Sequence, residues 1–364
     1  SDSFMAGVMI LGKYLVLAEG ARGSLGKQAI KKFVLDQNSD PQKFGIGFKE
    51  VWRVEPENHH KGLVQHSFGW PLKNDAGGGS FLYHLDNDQV AVGFVVHLNY
   101  KNPYMDPFCE FQRFKTHPKI APLFKGGERL SFGSRALSEG GFQSVPKLCF
   151  AGGILVGDNA GFMNVPRIKG SHNALFSGML AAQKMAAALA KGRSGDELSE
   201  YDSAWRNSEI GMDLKPVRNV KPLWSRFGTL AGIALGGMEM WLQQLFGRGF
   251  FGTIHHEKTD AASLQAAELH KEITYPKPDG KISFDRPSSL YLTNISYREG
   301  QPVHLKLAVS EQQMRQSDWE IYSGPSTRYC PAGVYEVIEE EGQPARFQIN
   351  AQNCVHCKTC DIKD

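Results

Sequence analysis

The chain has 364 residues, of which 41% are apolar and 22% are charged, so it is long enough for two or three domains with buried cores and is unlike a disordered polypeptide. Its net charge is only +3, and no run of lysine or arginine is present, which argues against a nucleic-acid partner. Four of the six cysteines lie between residues 330 and 360. This distribution does not fit an evenly cross-linked secreted protein and indicates a reducing compartment.

The first third of the sequence predicts a strand, a tight turn and a hairpin. Residues 14–18 are a short apolar run, typical of a buried strand, and the glycine-containing residues 19–23 that follow predict a turn. Residues 81–85 and 90–98 flank a short polar turn and predict a β-hairpin. The glycine-rich residues 74–80 predict a flexible loop before that hairpin.

A second strand, turn and helix are predicted in the middle of the chain. Residues 148–156 read as one buried strand that ends in a Gly-Asp turn at residues 157–161, and a helix is predicted from an N-cap at Ser171 to residue 191. In many FAD proteins a carboxylate at such a strand end accepts a ribityl hydroxyl, and glycines let the backbone approach the cofactor. The positive end of the following helix would favour the negative charge of a reduced flavin. A plain strand–turn–helix gives the same pattern, so Asp158 alone does not decide between the two.

The literal dinucleotide fingerprint of the chain is in the wrong context. Residues 247–252 match G-x-G-x-x-G, but they follow a helix-like stretch rather than a strand, and no helix begins after them. We therefore reject this match, and any pyrophosphate site of an FAD is expected in a preceding segment. The chain begins at Ser1 without a secretory signal pattern, and we expect it to be a fragment of a longer polypeptide.

An apolar stretch at residues 227–246 carries one charge, Glu239, and is bracketed by Arg226 and Arg248. Its glycines and Glu239 argue against a helix that spans a bilayer. Two interpretations remain open from the residues alone: a helix of the protein core, or a helix lying in a membrane interface with Trp241 as an anchor.

The cysteine pattern near the C-terminus predicts a metal centre. Cys354, Cys357 and Cys360 form C-x₂-C-x₂-C, a spacing that lets one loop supply three ligands to an iron–sulfur cubane. Cys330, which proline follows, is the candidate for the fourth ligand. A zinc site or a disulfide with a spare thiol remains an alternative. Two isolated cysteines, Cys109 and Cys149, read as buried small apolar residues, and His356 inside the loop reads as a solvent-facing residue.

Long stretches of the chain resemble one enzyme family, the electron-transfer flavoprotein:ubiquinone oxidoreductases. The resemblance covers essentially the whole sequence and is carried by "AEGARGSLGKQ", "GGSFLYHL", "EGGFQSVPKL", "GFMNVPRIKGSHNA", "YPKPDGKISFD", "CPAGVYE" and "INAQNCVHCKTCDIKD". It implies a multidomain α+β and α/β fold. That fold combines part of a glutathione-reductase-like FAD-binding domain, a β-rich ubiquinone-binding domain and a ferredoxin-like [4Fe–4S] domain. Two parts of such a protein are expected to be missing from this chain: the first nucleotide-binding unit and the extreme C-terminus.

The resemblance also implies domain limits and site residues. It predicts FAD-binding parts at 1–42 and 131–200, a quinone-binding domain at 43–130, a membrane-associated helical segment at 201–255 and the iron–sulfur domain at 256–364. The residues that it implies are grouped by ligand: Cys330, Cys354, Cys357 and Cys360 for the cluster; Gly78 and Gly79 for ubiquinone; and Gly20, Arg22, Asp158, Gly161 and Gly170 for FAD.

The implied reaction is electron transfer from reduced electron-transfer flavoprotein, through [4Fe–4S] and FAD, to ubiquinone. The implied location is the surface of the inner membrane, facing the bacterial cytoplasm or the mitochondrial matrix, with residues 227–246 inserted in one leaflet. His84 is a candidate proton donor to the quinone, although a lone histidine beside a strand is more often structural. The alternatives are a flavin-dependent prenyl-lipid reductase of the same fold and a non-enzymatic, zinc-stapled interaction domain.

Overall fold

A computed structural model describes residues 7–298, 300–338 and 346–364. The chain forms two compact units of mixed α and β structure. The first unit comprises the residues up to Gln42 together with Ser138–Arg218 and Leu242–His255, and the second comprises Lys43–Leu137, Asn219–Trp241 and His256–Asp364.

The described residues contain strands in both units. In chain order the strands are β1 Leu15–Leu17, β2 Phe44–Arg53, β3 Val64–Phe68, β4 Gly78–His84, β5 Gln89–His97, β6 Glu128–Ser138, β7 Cys149–Phe150, β8 Gly153–Leu155, β9 Tyr335–Ile338 and β10 Arg346–Ile349.

The α-helices range from single turns to the 27-residue helix α7. In chain order they are α1 Ser24–Phe33, α2 Pro107–Lys115, α3 Ala121–Phe124, α4 Ser171–Ala190, α5 Ser199–Ala204, α6 Glu209–Leu214, α7 Val220–Phe246, α8 Arg286–Tyr291, α9 Glu311–Met314, α10 Glu320–Tyr322, α11 Ser326–Tyr329 and α12 Cys360–Lys363.

The sheet of the first unit has the order β1-β8-β7 within the described residues. The prediction of one continuous strand at 148–156 is wrong, because the chain reverses between β7 and β8, where Gly152 has a φ of +79°. Strand β1 forms as predicted and pairs in parallel with β8. Its predicted burial is confirmed only for Leu17, because β1 lies at the sheet edge in the described chain and two of its three side chains are exposed.

The core of the first unit lies between this sheet and its helices. The buried side chains include Ile154 of β8, Tyr201 of α5 and Trp205, and the Tyr201 hydroxyl donates to the Leu155 carbonyl oxygen at 3.0 Å. Cys149 is buried in this core, as predicted. The predicted helix at 171–191 is confirmed as α4, but its N-cap is Gly170 rather than Ser171, and no side chain caps it.

The second unit is built on a sheet of order β3-β4-β5-β2-β6. The predicted hairpin is confirmed as β4 and β5, which pair antiparallel with Gly78 opposite Val96 and Gly79 opposite Val95. The prediction of a flexible loop through residue 80 is therefore wrong at its end, because the last three of those residues belong to β4. Stacked rings of Phe48 and Phe111, with centroids 5.8 Å apart, fasten α2 to the sheet.

Helix α7 contains a break at Gly228, whose φ of +75° and ψ of −174° are not helical. Beyond the break, the buried positions include Gly232, Gly236 and Glu239, and Asn219 donates to a Glu239 carboxylate oxygen at 3.1 Å. Beyond the break the helix therefore buries two glycines and its one acid, while several of its large apolar side chains remain exposed: Leu230, Met238, Trp241 and Leu245. No helix among the described residues is long and apolar enough to cross a membrane.

Candidate functional site: a four-cysteine pocket and glycine-rich turns

Four cysteine thiols line one small cavity in the second unit. Cys330 follows α11, Cys354 follows a short turn, Cys357 lies in the loop and Cys360 begins α12, and all four border the same cavity together with Tyr329 and Tyr335. The loop curves around the cavity because His356 and Lys358 adopt positive φ angles of 53° and 71°. None of the six cysteines, all of which are described, forms a disulfide.

Hydrogen-bond donors point at the sulfur atoms. The Val334 N–H lies 3.5 Å from Cys330 Sγ, and the His356 N–H lies 3.4 Å from Cys354 Sγ. The Thr359 hydroxyl is 3.3 Å from Cys357 Sγ. Such donors stabilise negative charge on thiolate ligands and raise the reduction potential of iron–sulfur centres.

The buried thiols are protonated without a counter-charge. Burial raises the pKa of Cys357 to about 12. Burial also raises the pKa of Cys330, although main-chain N–H groups of Ala332 and Val334 oppose that effect. A metal centre supplies the positive charge that makes such thiolates stable. The four thiols, their spacing and the N–H donors therefore fit a [4Fe–4S] cluster.

A second set of ligand atoms overlaps this pocket. His304, Cys354 and His356 bring their ligand atoms within 4.8 Å of one another. His356 is exposed, as predicted, and its Nε2 lies 2.9 Å from the Tyr297 hydroxyl. An ion bound to this trio and a four-cysteine cluster would compete for Cys354, so the trio is an alternative to the cluster rather than an addition.

The glycines of β4 are enclosed by main-chain atoms. A Cβ atom at Gly78 would lie 2.2 Å from the Val95 carbonyl oxygen, and one at Gly79 would lie 2.6 Å from the Ser67 carbonyl oxygen. Sequence reasoning missed a neighbour of these glycines, His97, whose Nδ1 lies 2.1 Å from the position of a Cβ at Gly77. His97 is buried, and the edge of its ring packs on Trp224.

The candidate proton donor His84 is buried at the far end of β4. Its Nδ1 accepts the His60 N–H at 3.0 Å, and its ring lies 5.4 Å from that of His59. Burial, together with these two histidines, lowers the pKa of His84. These contacts give His84 a structural role in the turn that joins β2 to β3.

The two glycine-rich turns of the first unit lie side by side. Because β1 and β8 are parallel neighbours, the turns that follow their carboxyl ends emerge at the same edge of the sheet. Gly20 and Arg22 of the first turn have φ angles of 76° and 55°, and Gly161 of the second has 86°. Asp158 lies in the second turn, where it accepts the Ser138 N–H at 3.4 Å.

Two side chains that the sequence did not single out shape this edge. Asn159 packs so closely against Gly26 that a Cβ there would lie 2.1 Å from its amide oxygen. Glu19 accepts the N–H groups of Leu25 and Gly26 at 2.9 and 2.7 Å, and so caps α1. Their partners are in the adjacent turn and helix, and a glycine-rich pattern alone does not specify such contacts.

Gly170, the N-cap of α4, follows Gly161 by nine residues. Below it, Asp213 of α6 accepts hydrogen bonds from His172 Nε2 and Asn173 Nδ2, both at 3.0 Å, and from Asn164. Burial opposes ionisation of Asp213, but these bonds outweigh it and hold its pKa below the usual value. The N-terminus of α4 is therefore fixed by a partly buried carboxylate.

Two segments of the chain match models of known protein families. A sequence model described as "ETF-QO, ubiquinone-binding" matches residues 44–137, and one described as "Electron transfer flavoprotein-ubiquinone oxidoreductase, 4Fe-4S" matches residues 280–364. The chain is 48% identical to the electron transfer flavoprotein-ubiquinone oxidoreductase of Pseudomonas aeruginosa, over 99% of this chain and 65% of that protein. It is 46% identical to the human mitochondrial protein of the same name, over 100% of this chain and 60% of that protein.

Over almost its whole length, the chain is similar to proteins named electron transfer flavoprotein-ubiquinone oxidoreductase. It spans 60–65% of the length of these two curated relatives. Among solved structures, a geranylgeranyl bacteriochlorophyll reductase-like protein of Thermoplasma acidophilum aligns with a TM-score of 0.47 and 17% identity, over 63% of this chain and 54% of that one.

The two family matches fall on recognisable parts of the second unit. The quinone-binding match begins at the first residue of β2 and ends within β6, so it contains Gly78, Gly79 and His97. The iron–sulfur match contains α8 to α12 and all four pocket cysteines.

Proposed function

We propose that the chain carries the cluster-binding and quinone-binding parts of an enzyme that passes electrons from reduced electron-transfer flavoprotein to ubiquinone. The observation that carries this proposal is the pocket lined by four cysteine thiols, with donors aimed at three of the sulfur atoms. The electron donor and the electron acceptor in this proposal are those that the names of the similar proteins give.

Cys330, Cys354, Cys357 and Cys360 are the proposed cluster ligands, and a [4Fe–4S] group bound there supplies reversible one-electron transfer. The N–H groups of Val334 and His356 stabilise thiolate charge, and the surrounding side chains exclude water from the buried sulfur of Cys357. In this proposal Gly78 and Gly79 border the quinone, because they lie in β4 within the segment that matches the ubiquinone-binding model.

FAD is the second proposed cofactor. The adjacent turns that contain Gly20, Arg22, Asp158 and Gly161 offer glycine-lined backbone at the carboxyl ends of two parallel strands, where cofactors bind in α/β sheets. Gly170 and the uncapped N-terminus of α4 offer main-chain N–H groups to a negatively charged flavin. The proposed FAD-binding parts are 1–42 and 131–200, the quinone-binding domain is 43–130, and the iron–sulfur domain is 256–364.

We place the protein on the surface of the inner membrane, on its cytoplasmic or matrix side, through α7 in the helical segment 201–255. Beyond the break at Gly228, exposed large apolar side chains are eight, three and four residues apart, spacings that place them on one side of an α-helix, as expected for interfacial binding: Leu230, Met238, Trp241 and Leu245. Ubiquinone is soluble in lipid, so its site requires access to the bilayer. Glu239 lies on the opposite, buried side, paired with Asn219.

The test is elemental and spectroscopic. We expect anaerobically purified protein to contain about four irons and no zinc per chain, with an EPR signal on reduction. Addition of a short-chain ubiquinone should then abolish that signal, whereas solvent alone should not. One zinc and no iron would support the zinc-stapled alternative and contradict the proposal. If quinone leaves the EPR signal of the reduced cluster unchanged, and the protein reduces the C=C bonds of a prenyl lipid, the prenyl-lipid reductase is favoured.

A further inference from the structure

An arginine of α8 binds the main chain at the cysteine that is remote in sequence from the other three. Arg286 is the first residue of α8, and its side chain is 21% exposed. Its Nε donates to the Cys330 carbonyl oxygen at 3.0 Å, and its Nη2 donates to the Arg328 carbonyl oxygen at 3.1 Å. Its Cδ lies 3.8 Å from the position of a Cβ at Gly333. Arg286 therefore binds the segment 328–333, which presents the Cys330 thiol to the pocket.

The same guanidinium group is anchored to α2 by an ion pair. Arg286 Nη2 lies 2.6 Å from Asp106 Oδ2, and the other carboxylate oxygen of Asp106 accepts the Cys109 N–H at 3.0 Å and so caps α2. Burial opposes the ionisation of Arg286, but Asp106 outweighs it and holds the pKa of Arg286 above its usual value. Helix α2 lies within the segment that matches the ubiquinone-binding model. Arg286 therefore links a cysteine of the pocket to that segment.

Other charged side chains border the cavity that lies beside Arg286. They are Arg113, Lys277, Asp279, Asp285 and Glu336. Within the part of the chain that the structure describes, none of these five forms an ion pair with Arg286 or Asp106. Removal of the Arg286 side chain therefore takes one positive charge from the Cys330 segment and leaves Asp106 without its ion-pair partner.

The positive charge of Arg286 acts on the Cys330 thiol. Burial raises the pKa of Cys330, and Arg286 is among the groups that oppose this effect, after the N–H groups of Ala332 and Val334. A charge that favours the thiolate also favours negative charge on a cluster that the thiolate binds, and each electron added to an iron–sulfur core increases that negative charge. Charges interact more strongly in a buried environment than in water, so Arg286 should have an effect that a surface arginine does not.

We propose that Arg286 is a positioning residue of the [4Fe–4S] centre, which fixes the main chain at Cys330 against α2 and favours the reduced cluster. The proposal rests on the proposed function, because it requires the four cysteines to hold the cluster. The fixing depends on the planar guanidinium group, which donates to two carbonyl oxygens and one carboxylate at once. A lysine at this position keeps the charge but lacks that geometry, so substitution separates the two effects.

The experiment is a redox titration followed by EPR, together with the rate of iron release to a chelator. In Arg286→Met we expect the equilibrium constant for cluster reduction to fall at least threefold, which corresponds to about 28 mV for one electron, and iron release to be at least tenfold faster. Arg286→Lys should keep the potential of the unmodified protein but release iron faster. Arg53→Met is the matched control, because Arg53 is exposed and pairs with Glu128. Its potential and its rate of iron release should equal those of the unmodified protein.

Two results would overturn the proposal directly. The first is an iron-loaded Arg286→Met protein with an unchanged potential, because a purely structural contact predicts faster iron release alone. The second is an Arg286→Lys protein whose potential falls as far as that of Arg286→Met. If Arg286→Met is isolated without iron, Asp106→Asn decides, because asparagine can still cap α2 and the lost negative charge should raise the potential. A potential that does not rise would overturn the proposal, whereas absence of iron from the unmodified protein would contradict the proposed function itself.

Discussion

At the scale of single residues, the glycines of β4 have a structural requirement that is separate from any quinone. Gly78 has a φ of +154°, a region that side chains disfavour, and the Val95 carbonyl oxygen occupies the place of its Cβ. A bulky substitution there would disrupt the pairing of β4 with β5, so a loss of quinone reductase activity in such a variant would not by itself identify a quinone site.

We expect even Gly78→Ala to lower the free energy of unfolding by about 1–3 kcal/mol, through backbone strain and the clash with Val95. Chemical denaturation followed by circular dichroism measures this change. The control is Gly237→Ala in α7, where nothing lies within 4 Å of an added Cβ, and a gain of about 0.5–1 kcal/mol is expected from helix propensity. Equal stability of the Gly78→Ala variant and the unmodified protein would show that the strand tolerates the side chain.

Residues that the sequence identified have their functional partners nearby in the chain, whereas residues that it missed contact segments far away in the chain. The three clustered cysteines are recognisable because one loop supplies them at fixed spacing, and a following proline singles out Cys330. Lys363, in contrast, contacts a carbonyl oxygen 265 residues earlier in the chain. No local sequence pattern distinguishes Lys363 from an exposed lysine, and only folding brings Lys363 next to Leu98.

At the scale of elements, the sequence predicted β1, the hairpin of β4 and β5, and α4, but it did not show where two apolar stretches are interrupted. Residues 148–156 are apolar throughout, and apolar pattern alone does not separate one strand from a hairpin with glycine in its turn. The break of α7 at Gly228 has a similar origin, because the Asn74 carbonyl oxygen lies 2.6 Å from the position of a Cβ at Gly228. Both interruptions depend on glycine conformation and on neighbours distant in sequence.

The contact between α4 and α6 provides a prediction at this scale. Asp213→Asn keeps the shape of the side chain but removes the charge that accepts bonds from His172 and Asn173. We expect a loss of about 1–3 kcal/mol in the free energy of unfolding at neutral pH. Thermal or urea unfolding, measured from pH 7 down to pH 3, tests this expectation.

The pH dependence of that loss follows from the sign of the pKa shift. The folded protein holds the pKa of Asp213 below the value of 3.8 expected for an unfolded chain, so the carboxylate stabilises the fold above about pH 4. This contribution disappears as the pH falls through the folded pKa, and the difference between the two proteins should shrink there. Asp75→Asn, at an exposed position, is the control and should leave stability unchanged. A difference that persists unaltered at pH 3 would rule out the charge as its cause.

At the scale of the whole molecule, pairing between distant segments determines which functional residues meet. Strands β1 and β8 are 138 residues apart at their paired Leu15 and Gly153, and their parallel pairing brings two glycine-rich turns to one sheet edge. The sequence identified each turn separately but gave no register between the strands. The sequence also did not decide whether α7 is a core helix or an interfacial helix, because the same composition fits both. In the structure, one apolar face of α7 is exposed within the described chain.

Membrane attachment through α7 is the corresponding prediction for the whole molecule. Leu230 and Trp241 are 73% and 61% exposed, so replacing both with aspartate should not disturb the core. Each large apolar side chain contributes about 1.5–3 kcal/mol when it is transferred out of water. We therefore expect the fraction of protein that sediments with lipid vesicles to fall at least tenfold in the double variant. Ile321→Asp, at another exposed apolar position, should bind as the unmodified protein does. If the double variant still sediments with the vesicles while its circular dichroism spectrum is unchanged, the attachment site lies outside α7.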